Sequence, residues 1–202
     1  MQATSVSGQY FEEEPSVTSA PRTVRLVLPD RTLDLVTDRG VFAKDDVDPG
    51  TKLLLLEAPS LPETGNLLDL GCGYGPIAVT MAARRPDATV WAVDVNERAV
   101  ALTRDNAARL GLANVRATTP DDVPDDVRFA ALWSNPPIRI GKPALHELLR
   151  TWLPRLDAGG EAVLVVHKHL GSDSLASWLG QEGWDVNRRT SRVGYRILSV
   201  AR

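Results

Sequence analysis

The stretch that most constrains this chain runs from residue 66 to 76 and reads Asn-Leu-Leu-Asp-Leu-Gly-Cys-Gly-Tyr-Gly-Pro. Leu67, Leu68 and Leu70 form a short apolar run that predicts a strand. Gly71, Gly73 and Gly75 then occupy alternate positions, and Ile77-Ala-Val-Thr-Met-Ala-Ala has helical composition. Strand, glycine loop and helix in that order let a nucleotide-like ligand lie against main chain, because glycine carries no Cβ and tolerates positive φ. Such a unit predicts an acid at the end of the next strand, about 20 residues on, to hold a ribose. Val90-Trp-Ala-Val-Asp94 supplies it.

The chain of 202 residues is long enough for one domain with a substantial core. A hydrophobic fraction of 43% and a charged fraction of 24% are ordinary for a globular protein. No apolar run approaches the roughly 20 residues that span a bilayer. The N-terminus has neither a basic region nor an apolar core, so no secretory signal is predicted. A single cysteine leaves no internal disulfide framework, and the expected compartment is the reducing cytoplasm. The net charge of −3 argues against nucleic-acid binding through bulk charge. The charge is uneven, however: residues 138–202 hold ten Lys and Arg against six Asp and Glu. That end is either a phosphate-facing patch or an ordinary solvated surface.

Residues 1–22 are polar and are expected to pack loosely. Two β-prone runs, 23–28 and 32–37, flank Pro29-Asp30-Arg31 and predict a hairpin. Residues 52–58 predict a short helix with Thr51 as N-cap. Beyond it the chain alternates, with strands expected near 66–70, 89–94, 114–118, 129–134 and 161–167. Helices are expected near 76–85, 97–110, 143–156 and 173–182, the second capped by Asn96 and ended by Gly111. Residues 184–189 and 195–201 predict a terminal hairpin around Ser191–Gly194. Regular alternation implies an α/β fold with a mostly parallel sheet and helices on both faces. The division expected is an N-terminal extension over 1–62 packed on a core over 63–202, the two forming one folding unit.

Asp69 before the first glycine, and the spacing G-x-G-x-G, resemble motif I of the class I S-adenosylmethionine-dependent methyltransferases. The resemblance implies a Rossmann-like fold with a seven-stranded sheet ending in an antiparallel hairpin. It also implies S-adenosyl-L-methionine as cofactor. Asp69, Gly71, Cys72, Gly73 and Gly75 would shape the methionine pocket, Asp94 would hold the ribose, and Val95 and Asn135 would lie beside the cofactor. Relatives often place an acid after the third strand for the adenine amine. Here that segment offers only the displaced Asp121 and Asp122.

Ser134-Asn-Pro-Pro137 closes the apolar run Phe129–Trp133. It resembles motif IV of amino-methyltransferases, which implies catalytic roles for Asn135, Pro136 and Pro137. A base or amide nitrogen is a poor nucleophile because its lone pair is delocalised. Two acceptors, the Asn135 side-chain oxygen and the Pro136 carbonyl, would favour a pyramidal nitrogen and stabilise its developing charge. Many nucleic-acid members have an aromatic residue after Pro-Pro; this chain has Ile138, so Phe42 or Trp133 is considered for the missing wall. Arg139 and Lys142 are candidates for a substrate phosphate. His167 and His169 share one face by strand periodicity, without the further ligands a metal needs, and no metal is expected.

Gly40-Val-Phe-Ala, Asp48-Pro-Gly-Thr and Asp94-Val-Asn, together with both motifs and Ile138-Arg-Ile-Gly-Lys142, resemble the small-domain methyltransferases of the RsmC type, from about Tyr10 onward. The resemblance implies methylation of a guanine N2 in ribosomal RNA, small-subunit RNA being favoured, with ribosomal RNA or a ribosomal subunit as partner and no membrane. Two other functions stay open. One is a protein glutamine N-methyltransferase, whose amide poses the same chemical problem. The other is a non-catalytic cofactor- or RNA-binding module. Oligomeric state is not legible.

Overall fold

A computed structural model describes residues 17–43 and 45–202; Tyr10, Lys44 and most of the segment expected to pack loosely lie outside the described residues. A two-stranded ribbon opens the fold, β1 (Arg22–Leu28) against β2 (Arg31–Thr37). Helix α1 (Pro49–Glu57) follows. The alternating core then runs β3 (Gly65–Leu70), α2 (Pro76–Arg84), β4 (Ala88–Val93), α3 (Glu97–Arg109), β5 (Val115–Thr118), β6 (Phe129–Ser134), α4 (Lys142–Trp152), β7 (Leu156–His167), α5 (Ser172–Gln181), β8 (Asp185–Arg192) and β9 (Tyr195–Ala201). The main sheet has the order β5-β4-β3-β6-β7-β9-β8. The first five pair in parallel, while β9 pairs antiparallel to β7 and β8.

Strand periodicity separates two cores. Leu67, Val90, Ala92, Ala131, Trp133, Val163 and Val165 face α1, α2, α3 and the ribbon. Leu68, Trp91, Val93, Leu132, Leu164 and Val166 face α4 and α5. Neighbouring residues along each strand thus point to opposite faces, as a sheet buried on both sides requires.

Several local expectations need correction. Helix α1 starts at Pro49, and its cap is Asp48, whose carboxylate accepts the Thr51 N–H at 3.0 Å. Pro at the first helical position suits this start, because its missing N–H would be unsatisfied there anyway. Helix α4 ends at Trp152 and passes into a tight turn over Leu153–Arg155. Strand β7 begins at Leu156 rather than near 161, because a bulge carries its pairing from Phe129↔Leu156 to Ala131↔Glu161. The last hairpin turns on Val193 and Gly194 alone, both at positive φ. Residues just before β1 are tied down: the Asp38 carboxylate accepts the Ser19 hydroxyl and the Ala20 N–H.

The ribbon is anchored by one amide. Asn106 on α3 accepts the Val36 N–H and donates to the Val36 and Tyr74 carbonyls, joining β2 to the glycine loop. The neighbouring Thr103 hydroxyl donates to the Gly73 carbonyl at 2.9 Å. A Cβ on Gly75 would stand 2.8 Å from Thr103, at φ +89°. Gly75 therefore serves the close approach of α3 to the loop. Gly75→Ala is expected to cost roughly 2–3 kcal/mol, lowering the thermal midpoint by roughly 5–10 °C. An unchanged midpoint in a thermal melt would contradict this packing.

Candidate active site

One cavity of about 770 Å³ opens at the carboxyl ends of β3, β4, β6 and β7. Open parallel sheets place ligands there, where strand order reverses and the following loops diverge. The segment from Val41 to Pro49 forms one wall; Lys44 within it lies outside the described residues. Of the residues named from the sequence, Phe42, Gly71, Gly73, Asp94, Val95, Asn135, Pro136, Pro137, Ile138 and Arg139 line the cavity. Asp69, Cys72, Gly75 and Lys142 do not.

The glycine loop is held by its own hydrogen bonds. The Gly71 and Cys72 N–H groups both donate to the Val93 carbonyl, at 2.8 and 3.1 Å. The Gly73 N–H donates to Asp94 Oδ2 at 2.9 Å, and Asp94 Oδ1 accepts the Asn96 N–H at 3.0 Å. These loop amides are thus spent on the fold rather than offered to a ligand. What the loop presents is space: Gly71 and Gly73, at φ +75° and +57°, turn faces without a Cβ into the cavity. Burial pushes the Asp94 carboxyl above its usual range. Each of its oxygens accepts one backbone N–H and retains acceptor capacity for a ligand hydroxyl.

Asp69 lies fully buried behind the loop, and its Oδ2 accepts the Ala78 N–H at 2.9 Å. The carboxyl thus satisfies one of the backbone amides at the start of α2 that the helix itself leaves unpaired. Asp69 Oδ1 has no partner among the described residues, and burial raises the group to about 8. Cys72 is buried against Thr103, and burial raises its thiol, as befits a packing residue.

On the opposite wall, Asn135 donates through Nδ2 to Asp48 Oδ1 at 2.8 Å and to Thr51 Oγ1 at 3.0 Å. The Tyr195 hydroxyl donates to Asp48 Oδ2 at 3.4 Å. Burial, and next the Asp48 charge, push the Tyr195 phenol up, so it stays a donor. The Pro136 carbonyl accepts the Ile138 N–H at 2.8 Å across an inverse γ-turn, with Pro137 at φ −74°, ψ 72°. One lone pair of that carbonyl remains for a substrate. The buried Ser134 hydroxyl donates to the Leu70 carbonyl at 2.6 Å, tying this segment to the glycine loop's strand.

Other expectations shift. Trp133 is 2% exposed in the core beneath α1 and lines no part of this cavity; Phe42, 42% exposed, does. Asp122 is engaged by the Thr118 and Thr119 hydroxyls, and neither it nor Asp121 lines the cavity, although Pro120 does. Lys142 begins α4 at the surface. Strand β7 ends at His167, so strand periodicity does not govern His169, yet both line the cavity with rings 5.5 Å apart. Among the described residues no group of three or more His, Cys, Asp or Glu is placed to hold a metal. Asp48, Thr51 and Tyr195 were not assigned from the sequence. Asp48-Pro-Gly-Thr carried the only signal, and Tyr195 joins it from the far end of the chain.

These features place an apolar cavity, walled by a glycine loop, an acid and an Asn-Pro-Pro turn, at the strand ends of a class I methyltransferase fold. The family model of the methyltransferase small domain matches residues 32–199, and the chain belongs to that family. It is similar to the uncharacterized protein YbxB of Bacillus subtilis, 35% identical over 198 residues, covering 96% of this chain and 98% of that one. It is also 35% identical over 204 residues to ribosomal RNA small subunit methyltransferase C of Ectopseudomonas mendocina. That match covers 98% of this chain and 60% of the relative, so the chain spans about three fifths of that protein's length. A solved Thermus structure, the T. thermophilus 16S rRNA N2 G1207 methyltransferase in complex with AdoMet and guanosine, superposes with a TM-score of 0.75 at 21% identity. The superposition covers 93% of this chain and 52% of that one, and establishes the shared fold.

The raised Asp69 carboxyl has a consequence for stability. A buried acid titrating near 8 binds a proton in the folded state that the unfolded state has already released above the ordinary carboxylate range. Its contribution is fully present below about pH 4 and is lost as pH rises toward 8, at up to about 1.4 kcal/mol per pH unit. Asp94 is raised too and adds to the same slope. Asp69→Asn keeps an acceptor for Ala78 and is expected to flatten the fall in stability between pH 5 and 8, measured by urea unfolding. Parallel curves for both proteins would contradict the assignment.

Proposed function

We propose that this protein is an S-adenosylmethionine-dependent N-methyltransferase that modifies the exocyclic N2 amine of a guanine in ribosomal RNA, small-subunit RNA being favoured. The observation that carries the reading is the Asn135 carboxamide. Both of its N–H groups are spent on Asp48 and Thr51, which leaves Oδ1 as the group available to a donor. The residues fit the cofactor: Gly71 and Gly73 offer a Cβ-free cradle, Asp94 offers hydroxyl acceptors, and Leu70, Val93, Val95 and Ala99 offer apolar wall. When bound, the cofactor supplies a methyl group already activated on sulfonium.

The chain's own part is placement and electrostatics. Asn135 Oδ1 and the Pro136 carbonyl accept the two amine N–H groups, aim the nitrogen lone pair across the cavity, and stabilise positive charge as it develops. Two prolines and a γ-turn hold these acceptors rigidly. No general base is needed, because the methylated nitrogen releases its proton to water. Phe42 and Ile138 flank the target base, and the exposed Arg139 meets a substrate phosphate at the rim, with Lys142 further out. Such a target puts the protein in the cytoplasm; among the described residues no helix is long and apolar enough to cross a membrane.

The test is transfer of labelled methyl into RNA and protein fractions of an extract lacking the enzyme, with Asn135→Ala alongside. Label is expected in ribosomal RNA, digesting to N2-methylguanosine, with the variant about a hundredfold slower or worse. Label in protein, or none with the cofactor still bound, would overturn the reading.

A further inference from the structure

The sequence Asp48-Pro49-Gly50-Thr51 lies at the start of α1, outside both the glycine loop and the Asn-Pro-Pro segment, yet it closes on Asn135. Asp48 Oδ1 accepts two hydrogen bonds, from the Thr51 N–H at 3.0 Å and from Asn135 Nδ2 at 2.8 Å. Oδ2 accepts the Tyr195 hydroxyl. Thr51 Oγ1 takes Asn135 Nδ2 as well, at 3.0 Å. Gly50 makes the arrangement fit, because a Cβ there would stand 2.5 Å from the Tyr195 ring and 2.9 Å from Asp48 Oδ1. Every residue of the tetrapeptide thus has a physical role. Asp48 caps the helix and accepts from Asn135, Pro49 starts the helix, Gly50 gives clearance, and Thr51 is the second acceptor.

We propose that Asp48 is a positioning residue for Asn135, fixing which end of its carboxamide faces the substrate. This rests on the proposed N-methyltransferase reading. A carboxamide is nearly symmetric in shape, and a half-turn exchanges its oxygen with its NH2. The reversed form would present N–H groups to an amine that itself donates, and would turn that amine away. Asp48 forbids the reversal, because a carboxylate only accepts, and Oδ1 facing Oδ1 would set like partial charges together. The same hydrogen bond polarises the amide and strengthens Oδ1 as an acceptor when charge develops on the substrate nitrogen. Tyr195 holds the carboxylate from the side of β9. The orientation of one amide is thereby secured by residues from both ends of the chain.

The test separates helix capping from positioning. Serine caps a helix as well as aspartate but is too short to reach Asn135. Asp48→Ser is expected to leave the thermal midpoint and the KM for the cofactor close to wild type, and to lower kcat by roughly tenfold to a hundredfold. Asp48→Asn retains an acceptor oxygen and is expected to lose clearly less. In the Asn135→Ala background, Asp48→Ser is expected to change kcat hardly further, since its effect runs through Asn135. A spectroscopic readout needs no turnover. In protein labelled with 15N-asparagine, the Asn135 side-chain resonance, assigned by its loss in Asn135→Ala, is expected to show slow exchange that Asp48→Ser removes. An unchanged kcat and resonance in Asp48→Ser, with Asn135→Ala inactive, would overturn this inference alone. Full activity in Asn135→Ala would overturn the functional reading as well.

Discussion

The parallel pairing of β3 between β4 and β6 is the constraint on which the rest depends. It brings three strand ends side by side, from which the glycine loop, Asp94 and the Asn-Pro-Pro segment grow, while β7 and β9 add His167 and Tyr195. The Val93 carbonyl at the end of β4 takes the first two amides of the glycine loop, and Asp94 takes the third. Ser134 at the end of β6 reaches the Leu70 carbonyl at the end of β3. The glycine loop and the Asn-Pro-Pro segment are thus fastened to one another through the sheet. Neither can drift without breaking buried hydrogen bonds, each of which is costly to leave unmade.

Three aspartates around this junction act differently because their surroundings differ. Asp69 is fully buried at the start of α2, is pushed toward neutrality, and holds the helix. Asp94 sits at the cavity wall, ties the loop to the sheet, and keeps acceptor capacity on the ligand side. Asp48 caps α1 and holds the carboxamide opposite. Electrostatic preorganisation of this kind stabilises charge without requiring the site to rearrange during reaction. The N-terminal ribbon and segment take part in it: Asn106 clamps the ribbon to the glycine loop, and Asn96 donates to the Gly40 carbonyl, holding Val41 and Phe42 at the cavity edge.

The fold was largely legible, because strand periodicity, the glycine loop and Asn96 and Gly111 at the ends of α3 act over a few residues. The two motifs also gave the part of the cavity around Gly71, Gly73 and Asn135–Pro137, since each sits at a strand end where the topology must place it. What escaped was nonlocal. That Asp48 also holds Asn135, 87 positions away, shows only in the folded chain. Trp133 turned to the core because β6 alternates and its face there lies beneath α1. The loop amides, which a glycine loop suggests as ligand donors, are spent on Val93 and Asp94, which only strand pairing reveals. Residues 156–160 resemble a loop in sequence because two glycines interrupt the pattern, and a bulge carries the strand through them.

On the proposed reading, Asn135 Oδ1 and the Pro136 carbonyl receive the amine to be methylated. The most direct measurement is a crystal structure of the protein with S-adenosylhomocysteine and guanosine. The guanine N2 is expected within hydrogen-bonding distance of both oxygens, with the Asn135 amide still bound to Asp48. A guanine held by its O6 edge at Asn135, or seated away from that residue with the cofactor site filled, would contradict it.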